Sequence, residues 1–151
     1  MKRSGLLQRL DQRWDELRDA YAGLPDAEMT EPGVTGGWSV KDIVAHVTSW
    51  EEESLKHLPD VLAGRRPPRY SVTYGGIDAF NARTVGQRAK LSLAEVLRQR
   101  DDTHRRLVDF LRTVAESQLV RETRFRRRLR LDTYGHYRKH ADAIRKWRAK
   151  P

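Results

Sequence analysis

Apolar residues recur at three- and four-residue spacing in four stretches of the chain, and each stretch reads as an amphipathic helix. Leu6, Leu10, Trp14, Leu17 and Tyr21 form the first stripe, over residues 4–22, with charged residues between them and Gly23 and Pro25 closing it. A loop rich in turn formers follows, with Pro32, Gly33, Gly36 and Gly37. Ser39 then occupies an N-cap position, with Asp42 three residues on as its capping acid. The second helix is predicted from Val40 to Leu58, with Ile43, Val44, Val47, Trp50 and Leu55 facing inward.

Residues 59–76 read as an irregular connection punctuated by Pro67-Pro68 and Gly75-Gly76, with room for one helical turn at Val61–Ala63. A short helix is predicted over Asp78–Arg88. Ser92 and Glu95 then repeat the capping pattern, and the third long helix extends to about Val114 along Leu93, Leu97, Leu107 and Leu111. Residues 115–130 carry no clear period. The last helix is predicted from Asp132 to Ala149, with Tyr134, Tyr137, Ile144 and Trp147 inward. No strand pattern and no internal repeat is present. Four long amphipathic helices predict an all-α fold, a four-helix bundle whose 59–91 connection makes a crossover and adds one short extra helix.

Composition adds bounds. The 151 residues suit one domain spanning 1–151, long enough to bury a real core. Zero Cys excludes disulfides, thiolate metal sites and a Cys nucleophile. No apolar run reaches the length of a membrane span, and the N-terminal residues lack a secretory apolar region, so a soluble cytoplasmic protein is expected. The net charge is +9, but it is uneven. Residues 1–75 are net −2 and residues 76–151 net +11, and Arg121–Arg130 alone carries six Arg against one Glu.

Of the five histidines, His136 and His140 are spaced i, i+4 on the last helix and therefore share a face. That spacing lets two imidazoles reach one metal ion, although half-buried, hydrogen-bonded helix histidines show it too. His46 lies beside the Ile43/Trp50 stripe of the second helix. If these two helices meet, His46, His136 and His140 form a facial set of neutral nitrogens that leaves coordination positions open, suited to Zn, Ni or Fe. His104 reads as a core or rim histidine beside Leu107. His57 reads as a cation near a helix end, where the dipole favours one.

The stretches GWSVKDIVAHVTSWEE (37–52) and DTYGHYRKHADAIRKW (132–147) resemble the DinB-like superfamily, and within it the ClbS/DfsB-type members. DAFNAR (78–83), SLAEVL (92–97) and EMTEPGV (28–34) fit the same pattern in the same order, leaving 60–75 and 115–130 outside it. The resemblance implies a four-helix bundle, a homodimer, and a divalent metal held by His46, His136 and His140. It also implies chemistry on a small reactive or xenobiotic molecule. Known members include transferases and isomerases that use low-molecular-weight thiols. ClbS-type members are resistance proteins that hydrolyse a reactive cyclopropane in a DNA-damaging metabolite.

For such chemistry Glu53, seven residues after His46, is the candidate general base, the alternative being an exposed carboxylate in the acidic run Glu51–Glu53. Trp38, Trp50, Tyr134 and Tyr137 are candidate pocket residues, or ordinary core. The competing function is a non-catalytic basic protein that uses Arg121–Arg130 for nucleic acid or another anionic partner. That segment has one aromatic and no standard nucleic-acid motif, so a solvated loop or an Arg-rich helix extension is expected instead, and nucleic acid is not expected as a partner.

Overall fold

The computed structural model describes residues 2–151, and every regular element among them is helical. The helices are α1 (Arg3–Tyr21), α2 (Asp26–Met29), α3 (Val40–Leu62), α4 (Tyr70–Thr73), α5 (Ile77–Arg88), α6 (Leu93–Arg112), α7 (Arg124–Asp132) and α8 (Tyr134–Arg148), with a 3-10 turn at Glu116–Gln118. Four pillars carry the bundle: α1, α3, α6 and the broken pair α7–α8.

Both predicted capping boxes form. Ser39 accepts from the Asp42 amide while Asp42 accepts from the Ser39 amide, and Ser92 and Glu95 do the same. These reciprocal bonds satisfy amide groups that a helix start leaves without partners, which fixes where α3 and α6 begin. The α1 stripe is buried as its spacing requires, with Leu6 and Leu10 fully inaccessible, each contributing about 1.5–3 kcal/mol by leaving water.

Cross-helix contacts give the directions. Arg3 Nε donates to the Val114 carbonyl at 3.0 Å and Arg100 to the Tyr21 hydroxyl at 2.8 Å, so α1 and α6 run antiparallel. Arg145 and Arg148 donate to the carbonyls of Glu16 and Ala20, so α8 runs parallel to α1. His46 meets His140 while Ser54 meets Asp132, so α3 opposes α7–α8. The adjacent pillars α3 and α6 are therefore parallel, and parallel neighbours need the predicted crossover. It is made by residues 63–92.

The connections hold more structure than periodicity indicated. Helix α3 runs past Pro59 to Leu62, and the Ala63 amide closes its last turn on the Pro59 carbonyl at 3.1 Å. Proline removes one hydrogen bond at its own position, but near a helix end the turn survives. Gly64, at φ +79, then stops the helix. The expected single extra helix is in fact three short ones, α2, α4 and α5. Residues 115–130 resolve into the 3-10 turn and α7, whose Thr123 cap accepts from the Arg126 amide at 3.1 Å.

The last pillar is not one helix. It breaks at Thr133, whose φ −128 and ψ −103 lie outside the helical region, so α8 begins at Tyr134. A Cβ added at Gly135 would sit 2.9 Å from the Arg130 carbonyl oxygen, so the break depends on a residue without a side chain.

Candidate metal centre

Helices α3 and α8 bring His46, His136 and His140 together, with their ligand atoms all within 4.8 Å of one another. His136 Nε2 lies 2.8 Å from His46 Nε2 and 3.0 Å from His140 Nε2. His46 and His140 are buried and His136 half-buried. Burial lowers all three pKa values, to about 3 for His46, about 2 for His136 and about 4 for His140; neighbouring imidazoles add to the shift at His46 and His136, and Lys139 at all three. All three are neutral at pH 7 and keep lone pairs to offer.

Hydrogen bonding alone does not account for the cluster. A neutral imidazole nitrogen carries either one proton or one lone pair, so His136 Nε2 cannot complete two good bonds at once. A shared cation satisfies all three nitrogens. Nitrogens on a tetrahedral zinc, with bonds of about 2.0–2.1 Å, stand ~3.3 Å apart, a few tenths of an ångström wider than here. The residues therefore fit a divalent ion. The opposite ring nitrogens, Nδ1 of each, are buried and have no hydrogen-bond partner among the described residues.

Trp38 lies against His46 with ring centroids 4.7 Å apart, and Trp50 stands edge-on to His136 at 6.5 Å. These two predicted pocket residues flank the imidazoles. Tyr137 does not. Its hydroxyl donates to Glu51 Oε2 at 2.5 Å, where His104 Nδ1 also donates at 2.7 Å. Tyr134 is packed in the core.

Glu53 is not an exposed member of an acidic run. Glu51 is fully buried, Glu52 pairs with Arg88, and Glu53 Oε1 accepts from the Tyr70 hydroxyl at 2.9 Å and faces His57 Nε2 at 3.3 Å. None of these contacts reaches the imidazole cluster; Trp50 stands between, touching Tyr70 and Phe80 on one side and His136 on the other. His57 is buried, and burial lowers its pKa, so it is not the helix-end cation expected. His104 is a core histidine, stacked on Trp14 at 3.7 Å.

Two polar networks escaped sequence reasoning. One is Glu51–His104–Tyr137. Its signal was present: Glu51 continues the heptad Val44, Val47, Ser54 and Leu58, placing a carboxylate on the inward face. The other ties the α7–α8 junction to α3. Asp132 pairs with Arg128 at 2.6 Å and accepts from Ser54 at 2.8 Å, while Arg128 also reaches the Tyr70 hydroxyl at 2.7 Å. Burial raises the Asp132 pKa to about 6.

The arginine segment is a helix whose side chains are largely engaged within the chain. Besides the Arg128–Asp132 pair, Arg130 pairs with Glu122, Arg127 donates to the Glu122 carbonyl and Arg124 to the Arg65 carbonyl.

Comparison with known proteins agrees with this architecture. The family model described as the DinB superfamily matches residues 9–142. The solved structure of the sibling lethal factor precursor DfsB superposes with a TM-score of 0.81 at 19% identity, covering 98% of this chain and 95% of that one. The colibactin self-resistance protein ClbS, crystallised in complex with a double-stranded DNA, gives 0.82 at 14% identity, with 99% and 97% covered. A protein from Streptococcus pneumoniae gives 0.80 at 13% identity, with 98% and 91% covered. No curated protein sequence matches the chain. Among the described residues, no helix is long and apolar enough to cross a membrane. The chain belongs to the DinB superfamily.

Proposed function

We propose that the chain is a divalent-metal-binding protein that acts on a small reactive or xenobiotic molecule, as a hydrolase or a thiol-dependent transferase. The observation that carries this reading is the convergence of three neutral imidazoles, two buried and one half-buried, with nitrogens 2.8 and 3.0 Å apart, which no hydrogen-bond pattern satisfies. His46, His136 and His140 hold the ion. Bound there, a divalent metal supplies Lewis acidity and lowers the pKa of water or a thiol. The chain itself supplies the neutral donors, kept unprotonated by burial, and the indoles of Trp38 and Trp50, which wall the site against bulk water. Glu53 belongs to the neighbouring cleft behind Trp50 and is assigned no role at the imidazoles.

Metal analysis of untagged protein tests the reading. Near-stoichiometric divalent metal is expected, lost in His136→Ala. Protein free of metal whose stability ignores added zinc and chelator overturns it.

A second reading, binding to double-stranded DNA, is favoured by one feature of this chain and by the DNA complex of ClbS. The Arg124 bond to the Arg65 carbonyl, at 3.0 Å, brings the basic loop Arg65, Arg66 and Arg69 against the start of α7. Sequence alone kept these basic segments apart, and their juxtaposition weighs against setting nucleic acid aside. Affinity for a short duplex that falls steeply between low and near-physiological salt supports this reading, with a smaller slope in Arg66→Ala/Arg121→Ala. Absence of binding at low salt removes it.

A further inference from the structure

A cleft of about 450 Å³ lies between α3, α5 and α6, and none of the three clustered imidazoles lines it. Its size is within the range of small-molecule sites, roughly 300–1,000 Å³. Glu53, Tyr74, Phe80, Arg83 and Arg88 are among its lining residues.

Glu52 and Glu53 balance Arg83 and Arg88 in formal charge among the lining residues, but the pairing is uneven. Arg88 is committed to Glu52, and its guanidinium also holds Ser49 and Gln99. Arg128 is committed to Asp132 and reaches the Tyr70 hydroxyl rather than the Glu53 carboxylate. His57 faces Glu53 but is held neutral by burial. Glu53 is left as a carboxylate only 7% exposed and without a cation. Buried carboxylates are ordinarily paired, because an isolated charge away from water is costly. Tyr70 and His57 both sit at Oε1, while Oε2 accepts no hydrogen bond among the described residues. One oxygen is thus held by Tyr70 and His57, the other is without a hydrogen bond among the described residues, and Glu53 lines the cleft.

Aromatic residues line the same cleft as Glu53. Phe80 packs on Tyr74 at 4.9 Å and on Tyr70 at 5.2 Å between centroids. A carboxylate with aromatic faces beside it is the chemistry that recognises organic cations, since ring faces attract positive charge. Arg83 is exposed on the α5 rim and makes no ion pair among the described residues. Its charge opposes a second positive group on a ligand.

We propose that the α3–α5–α6 cleft binds small organic monocations: an ammonium or amidinium on an apolar or aromatic body, paired by Glu53 Oε2 and flanked by Tyr74 and Phe80. This site is separate from the imidazole cluster and needs no metal.

Titration calorimetry with phenethylammonium and its neutral counterpart 2-phenylethanol, on full-length protein in chelator, tests it. The ammonium binds saturably and about tenfold or more tighter than the alcohol, and Glu53→Gln removes that preference. Phe80→Leu weakens the ammonium several-fold, and Arg83→Gln tightens it by relieving repulsion. Equal binding of the two probes, no saturation with either, or weaker ammonium binding in Arg83→Gln overturns the proposal. The wild-type contrast and the Arg83 variant decide the matter even if Glu53→Gln fails to fold. Because chelator is present throughout, the outcome is independent of whether the imidazoles bind metal.

Discussion

Two groups of histidine are buried in the same bundle and solve the same problem differently. His104 donates to Glu51, which also accepts from Tyr137, and its ring stacks on Trp14. Its Nδ1 partner and its stacking partner both come from the chain, and at Glu51 only Oε1 is left buried without a hydrogen bond. His46 and His140 are buried and His136 half-buried, and their ring nitrogens meet only one another, with three Nδ1 atoms unpartnered. Buried polar groups without partners weaken a fold by about 1–3 kcal/mol each. The first arrangement joins α3, α6 and α8. The second makes sense as a place where something from outside the chain completes the set.

Acid tests this contrast most strongly. Unfolded imidazoles titrate near 6.5, whereas the folded cluster takes protons only near 2–4. As pH falls below 6.5 the unfolded chain therefore binds protons first, and stability present above that pH is lost on the way down. With three such groups the slope approaches about 3–4 kcal/mol per pH unit between pH 6 and 4 in the absence of metal. Asp132 works the other way. Its pKa is raised to about 6, so the folded state takes that proton first and offsets part of the loss. Denaturant melts across pH should show this slope, reduced by about a third in His136→Gln. A flat profile from pH 7 to 5 would contradict the burial of the cluster.

Next in size is Glu51→Ala. It leaves His104 and Tyr137 without their shared acceptor and should lower unfolding stability by about 3–5 kcal/mol. If urea melts of this variant matched wild type, His104 would not be the self-sufficient member of the pair.

Divalent metal should act on one region only. Free zinc at a hundredfold excess over its dissociation constant adds about 2.7 kcal/mol. His136→Ala abolishes that increment, while His104→Gln lowers the baseline and keeps the increment. Loss of the increment in both variants would merge the two regions into one.

The smallest effect concerns what the regions share. Helix α3 carries both His46 and Glu51, and its Ser39 cap is local. Ser39→Ala should lower stability by about 1 kcal/mol and leave zinc affinity unchanged. A change in affinity would show that the helix start, and not only side-chain packing, sets the imidazole geometry.

Much of the molecule was legible from residue order. The four stripes and both capping boxes follow from local spacing, and the length of the 59–91 connection allowed a crossover. His136 and His140 had to share a face because a helix puts i and i+4 together. Trp38 and Trp50 were candidates for pocket or core, and their contacts with His46 and His136 appear only in the fold. Tyr137 was left between pocket and core, because periodicity says that a side chain points inward but not which neighbour it meets. Glu53 was weighed against an exposed carboxylate, and neither alternative anticipated that α4 would fold over it and bring Tyr70. The break at Thr133 was not read either: Gly135 meets the Arg130 carbonyl there, and Asp132 beside it is held by Ser54, 78 residues away in sequence.

The sequence by itself therefore determined the helices, their caps and the inward faces, since these depend on neighbours within a few residues. Only the tertiary structure decided which inward residues meet. That outcome rests on helix directions, on a crossover that sets α3 parallel to α6, and on contacts between residues tens of positions apart. It decided that His46 reaches His136 and His140, that Glu51 is paired inside the core, and that Glu53 is left facing a cleft without a cation. Charge followed the same division. A net of +9 can be counted from composition, but which guanidiniums are neutralised depends on carboxylates delivered by other helices.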